Sequence, residues 1–78
     1  MGQRFPSMKV KTLLRILEHH CGAPVRIKGS HHHFISPYNG RPVLLAFHSG
    51  EMQGPWVRKL LVGQLGLSEQ AALEEVSR

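Results

Sequence analysis

The sequence predicts a small α+β fold: a helix, three antiparallel strands, a second helix and a short terminal helix. Apolar residues recur with helical spacing on both sides of a central stretch, and that stretch alternates and carries an Asn-Gly pair, the signature of a strand hairpin. With 78 residues there is room for one domain and one thin core. We therefore expect a single domain over residues 8–78, preceded by a loose extension over residues 1–7.

Ser7 is a candidate N-cap for the first helix. Val10, Leu13, Leu14 and Leu17 fall at i, i+3, i+4 and i+7, one apolar stripe on a helix ending near His20, with Gly22 as its stop. After Pro24, Val25 and Ile27 alternate with Arg26 and Lys28, the two-residue period of a half-buried strand. Gly29-Ser30 makes a corner, His31 to Ser36 forms the second strand, and Pro37-Tyr38-Asn39-Gly40 reverses the chain into a third strand from Val43 to His48.

Ile35, Leu44 and Ala46 leave the outer side of this sheet apolar. That pattern fits either scattered surface residues or a face covered by another chain. Ser49 to Gln53 reads as a loop. Gly54-Pro55 opens the second helix, with Val57, Leu60, Leu61 and Leu65 on its apolar side and Gly66-Leu67 as a glycine stop. Ser68 caps the third helix, whose apolar set is Ala71, Ala72, Leu73 and Val76. The two main helices should cover one face of the sheet.

Charge narrows the partners. The formal net charge is +5, and residues 1–50 hold seven Lys and Arg against Glu18 alone. That positive field favours an acidic partner, nucleic acid included. A lone cysteine, Cys21, precludes an intrachain disulfide, no apolar run reaches the length of a membrane span, and no apolar signal segment opens the chain; a reducing cytoplasm is expected.

Chemistry concentrates in Lys28-Gly29-Ser30-His31-His32-His33-Phe34, where basic charge, a flexible corner, a hydroxyl and three imidazoles meet. Imidazole both accepts and donates a proton near neutral pH. RNA cleavage by the ribose 2′-OH needs a base for the hydroxyl proton, an acid for the departing 5′-oxygen and positive groups for the phosphorane oxygens, and Lys28 and Arg26 could supply the last. The bland alternative is three strand histidines, since neighbouring side chains point to opposite faces. Phe34, Tyr38 and Trp56 read as packing residues, and Cys21 as a structural thiol. A metal reading would use His31 and His33 at i, i+2 with His48, but no Asp is present and the glutamates lie far along the chain.

From Lys9 to Ser68 the chain resembles the HicA toxins of bacterial toxin–antitoxin pairs. The resemblance rests on Lys11-Thr12-Leu13-Leu14-Arg15-Ile16-Leu17-Glu18, on Val25-Arg26-Ile27-Lys28-Gly29-Ser30-His31-His32-His33-Phe34, on Asn39-Gly40-Arg41, and on Gly54-Pro55-Trp56-Val57-Arg58-Lys59-Leu60-Leu61. Ala46, Met52-Gln53 and the first seven residues depart from the family pattern.

The resemblance implies a double-stranded-RNA-binding-domain-like fold, metal-independent mRNA cleavage without any cofactor, and a HicB-type antitoxin as partner. It places the functional histidine after the Gly-Ser corner, at His32 or its neighbour His31; the corner and the basic first half then offer Arg26, Lys28, Gly29, Ser30, Lys9, Lys11 and Arg41 as RNA-binding residues. Strict alternation puts His32 on the face of Phe34, under the helices unless it stands at the sheet's rim. A non-catalytic RNA-binding module of the same shape and a histidine-ligated metal protein are the rival readings.

Overall fold

The computed structural model describes residues 5–77 and is an α+β fold with antiparallel sheets. Its elements are β1 (Met8–Lys9), α1 (Val10–Cys21), β2 (Arg26–Lys28), β3 (His31–Ile35), β4 (Pro42–Ala46), β5 (Glu51–Met52), α2 (Gly54–Arg58), a π-helical continuation of α2 (Lys59–Gln64) and α3 (Glu69–Val76). The three main strands pair antiparallel in the order β2-β3-β4.

Alternation sorts the sheet into two faces. Phe34 stands opposite Val43 and His32 opposite Leu45, and of these Phe34, Val43 and Leu45 are fully buried. α1 packs on β3 and the π-helical segment on β4, so both main helices lie on this inner face. The stripe read from the sequence is the one buried, through Val10, Leu13 and Leu17 on α1 and Val57, Leu60, Leu61 and Leu65 on the second helix. The outer face carries Arg26, Lys28, His31, His33, Ile35 and Leu44 and is open; Ile35 and Leu44 are exposed.

Several elements differ from their expected form. The first helix starts at Val10, two residues later than a Ser7 cap would give, because Met8 and Lys9 are extended and pair with Met52 and Glu51. The expected loop over Ser49 to Gln53 therefore contains β5, and the Val10 N–H is taken by the Gly50 carbonyl at 3.1 Å. Of the expected loose extension, Met1–Arg4 lie outside the described residues, but Phe5 is only 8% exposed and belongs to the core. Its carbonyl lies against Gly54, where an added Cβ would fall 1.9 Å from the oxygen. Glycine is required there by close approach rather than by an unusual φ.

The hairpin reverses over Pro37 to Gly40, as the sequence predicts. Ser36 N–H bonds to the Arg41 carbonyl at 2.9 Å, leaving Pro37 to Gly40 as a four-residue loop. Ser36 is the buried hub of this loop: its Oγ donates to the Leu65 carbonyl at 2.6 Å and accepts from Tyr38 N–H at 3.0 Å. The second helix widens to π geometry, with Leu65 N–H on the Leu60 carbonyl at 2.9 Å. Leu60, Leu61 and Leu65 are all buried in the core. Ser68 caps α3 as expected, accepting from Ala71 N–H at 3.1 Å, and Glu69 in the first turn pairs with Arg58 at 2.8 Å. Among the described residues no helix is long and apolar enough to cross a membrane.

Candidate functional site

The corner between β2 and β3 turns on Gly29, whose φ of +60° lies in the left-handed region that L side chains rarely adopt. It folds Lys28 back onto His31, Ile27 onto His32 and Arg26 onto His33. The Ser30 carbonyl accepts the Phe47 N–H at 2.7 Å, which fastens the corner to the chain leaving β4.

His32 lies on the inner face but is half-exposed, the second residue of β3 and so close to the corner end of the sheet. Its cross-strand neighbour Ile27 is likewise exposed, although Leu45 on the other side is buried. The His32 ring tilts against Phe47, with centroids 5.8 Å apart and planes at 60°. Its Nδ1 is 3.2 Å from the Ser30 carbonyl oxygen. A carbonyl only accepts, so this contact is made by an Nδ1–H, and in the neutral ring Nε2 then carries the lone pair. The strand, the corner and Phe47 thus hold an imidazole whose free nitrogen suits a general base.

The other sequence-selected residues fall into separate groups. Lys28 and His31 are cross-strand neighbours on the outer face, as are Arg26 and His33, and Arg26, Lys28 and His31 are exposed. The sheet therefore stands between His32 and the cluster of Lys28 and His31. Gly29 and Ser30 form the corner joining the two sides. Lys9 pairs in register with Glu51 and Lys11 is exposed in the first turn of α1. Arg41 is exposed beside the β3–β4 loop, at the opposite end of β3 from the corner.

Comparisons of the chain with protein-family models, with curated proteins and with solved structures give no match.

For the rival metal chemistry, the three residues read from the sequence do not share a site. His31 and His33 lie on the outer face of the sheet, whereas His48 follows β4 and its Nδ1 accepts the Gly50 N–H at 3.0 Å. Among the described residues no group of three His, Cys, Asp or Glu side chains is placed to hold a metal ion. Cys21 is half-buried, and loss of hydration pushes its thiol pKa up. That suits the inert role read for it.

Two features escaped the sequence reading. Tyr38 and Trp56, which the sequence predicts to be packing residues, are both exposed. Tyr38 Oη lies 2.5 Å from Nδ1 of His20, whose Nε2 is 3.1 Å from Glu75 Oε2. This clasp joins the end of α1, the β3–β4 loop and α3. Its members lie 18 and 55 positions from one another along the chain, so no local spacing announces it.

Proposed function

We propose that this chain is an endoribonuclease toxin of the HicA kind, a double-stranded-RNA-binding-domain-like fold that cleaves mRNA in the cytoplasm without a metal and is neutralised by a HicB-type antitoxin. The observation that carries the reading is His32 at the rim of the sheet: half-exposed, anchored through Nδ1 and presenting Nε2. In the proposed reaction Nε2 takes the proton of a ribose 2′-OH, whose oxygen bonds to the adjoining phosphorus. The phosphorus–5′-oxygen bond breaks, the departing oxygen takes a proton from a second donor, and the products carry a 2′,3′-cyclic phosphate and a 5′-hydroxyl.

The basic surface supports the binding half of this reading. Lys28 and Arg26 on β2, with Lys9 and Lys11 on the N-terminal elements, are exposed cations that can neutralise phosphates without reading bases. His31, beside Lys28, is the alternative site for the acid or base.

A second reading, a non-catalytic RNA-binding module, is favoured by one specific observation. His32 and the cluster of Lys28 and His31 are on opposite faces, so the charge that would stabilise the phosphorane is not on the side of the inner imidazole. Purified protein incubated with RNA in excess chelator separates the two. The toxin reading expects fragments ending in a cyclic phosphate; salt-sensitive RNA retention with intact RNA would establish the binding module instead.

A further inference from the structure

The first turn of α2 is clamped on one side and open on the other. Gly54 is buried against the Phe5 carbonyl, Pro55 fixes the first turn, and Val57 is fully buried. Trp56 between them is 59% exposed, a large apolar ring held on a rigid helical start. Lys59, one turn further on, places Nζ 5.0 Å from the centre of the indole. Pro55, Trp56, Arg58 and Lys59 together line a shallow groove. Arg58 is engaged by Glu69, so Lys59 is the cation that leans on the ring.

A flat aromatic face with a flexible ammonium beside it matches the way grooves for unpaired nucleic acid combine stacking with phosphate neutralisation. Position agrees with this. α2 follows β5, β5 pairs with β1, and the chain entering that region from β4 is tied to the Ser30 carbonyl. Trp56 thus follows, by nine residues, the Phe47 that is bonded to the Gly29–Ser30 corner, within a chain of net charge +5.

We propose that Trp56 is a stacking platform for an unpaired RNA base, with Lys59 taking an adjoining phosphate. The proposal rests on the RNA reading above and adds a binding site outside the histidine corner. It also makes the ligand single-stranded, because a base within a duplex cannot offer its face to an indole.

Trp56 is the single tryptophan of the chain, so its emission reports this groove alone. The full-length protein is titrated with a fluorescein-labelled single-stranded 2′-O-methyl oligonucleotide, which lacks the nucleophilic hydroxyl and stays intact. Anisotropy and tryptophan emission are read together in wild type and in Lys59→Ala, and anisotropy in Trp56→Ala and Trp56→Phe. Quenching should saturate together with anisotropy. Trp56→Ala should weaken binding roughly tenfold, with Trp56→Phe intermediate, and Lys59→Ala should weaken binding with the quenching at saturation retained, equal affinity in Lys59→Ala overturning its phosphate contact. Both substitutions are on an exposed position, and circular dichroism should show an unchanged fold. An anisotropy rise with unmoved emission, and equal affinity in Trp56→Ala, would overturn the platform and leave the nuclease reading intact if wild type still cleaves RNA. Failure of the oligonucleotide to bind wild type at all would overturn the platform and count against the RNA reading together.

Discussion

The ring of His32 packs against Phe47 at a centroid distance of 5.8 Å, at the point where the backbone of Phe47 also fastens the Ser30 carbonyl. Phe47 thus restrains the imidazole twice, through its ring and through the corner that holds Nδ1. It is a positioning residue under the proposed function. Phe47→Ala removes the ring contact while keeping the backbone bond and the charge. We expect the turnover of an RNA substrate to fall roughly ten- to a hundredfold with little change in KM, the pattern of a displaced group rather than lost binding. Phe47→Leu should recover part of the rate. Unchanged turnover in Phe47→Ala would show that the ring does not orient His32.

Ser36 links the hairpin loop to the end of the second helix. It is buried, donates to the Leu65 carbonyl and accepts from Tyr38 N–H. Ser36→Ala leaves both groups without this partner and should cost about 1–3 kcal/mol in denaturant unfolding, with the native fold retained. A loss well below that range would mean water replaces the hydroxyl.

Gly54 is hemmed in by backbone. A methyl at this position would meet the Phe5 carbonyl at 1.9 Å, and a carbonyl cannot swing away as a long side chain can. Gly54→Ala should destabilise the fold by about 1–3 kcal/mol through overpacking, although alanine is ordinarily the better helix former. An unchanged melting temperature would show that the segment around Phe5 yields freely.

The Cys21 thiol has its pKa pushed up by burial. At neutral pH it is therefore held in the unreactive thiol form, and alkylation of native protein by iodoacetamide should run slower than in urea. The native rate should rise only at pH values above the ordinary thiol range. Rapid alkylation at pH 7 would place the thiol in a setting unlike the one described.

Long periodic segments were legible in the sequence because their burial repeats. The stripe of Val10, Leu13 and Leu17, the alternation that buries Phe34, Val43 and Leu45, and the Ser68 cap all express a local rule, whereas β2, expected to be half-buried through Val25 and Ile27, leaves both of them exposed. What escaped is non-local or too short to have a period. Met8–Lys9 and Glu51–Met52 are two-residue strands that exist only because each finds the other. Phe5 joins the core through one residue, the π-helical turn has no period of its own, and the Ser36 bonds that close the hairpin loop reach Leu65, far along the chain. At the candidate site, alternation correctly placed His32 on the Phe34 face. Its half-exposure depends on what the rest of the fold lays over it, which no spacing within β3 specifies.

Under the proposed function the imidazole of His32 moves a proton during RNA cleavage. The direct measurement is the initial rate of RNA cleavage, in excess chelator, by wild type, His32→Ala and His31→Ala, each shown to be folded by circular dichroism. Proton transfer by His32 should make His32→Ala slower by roughly 10²–10⁴-fold, with a much smaller loss in His31→Ala. Equal rates in wild type and His32→Ala would contradict it, and a collapse confined to His31→Ala would move the chemistry to the outer face beside Lys28.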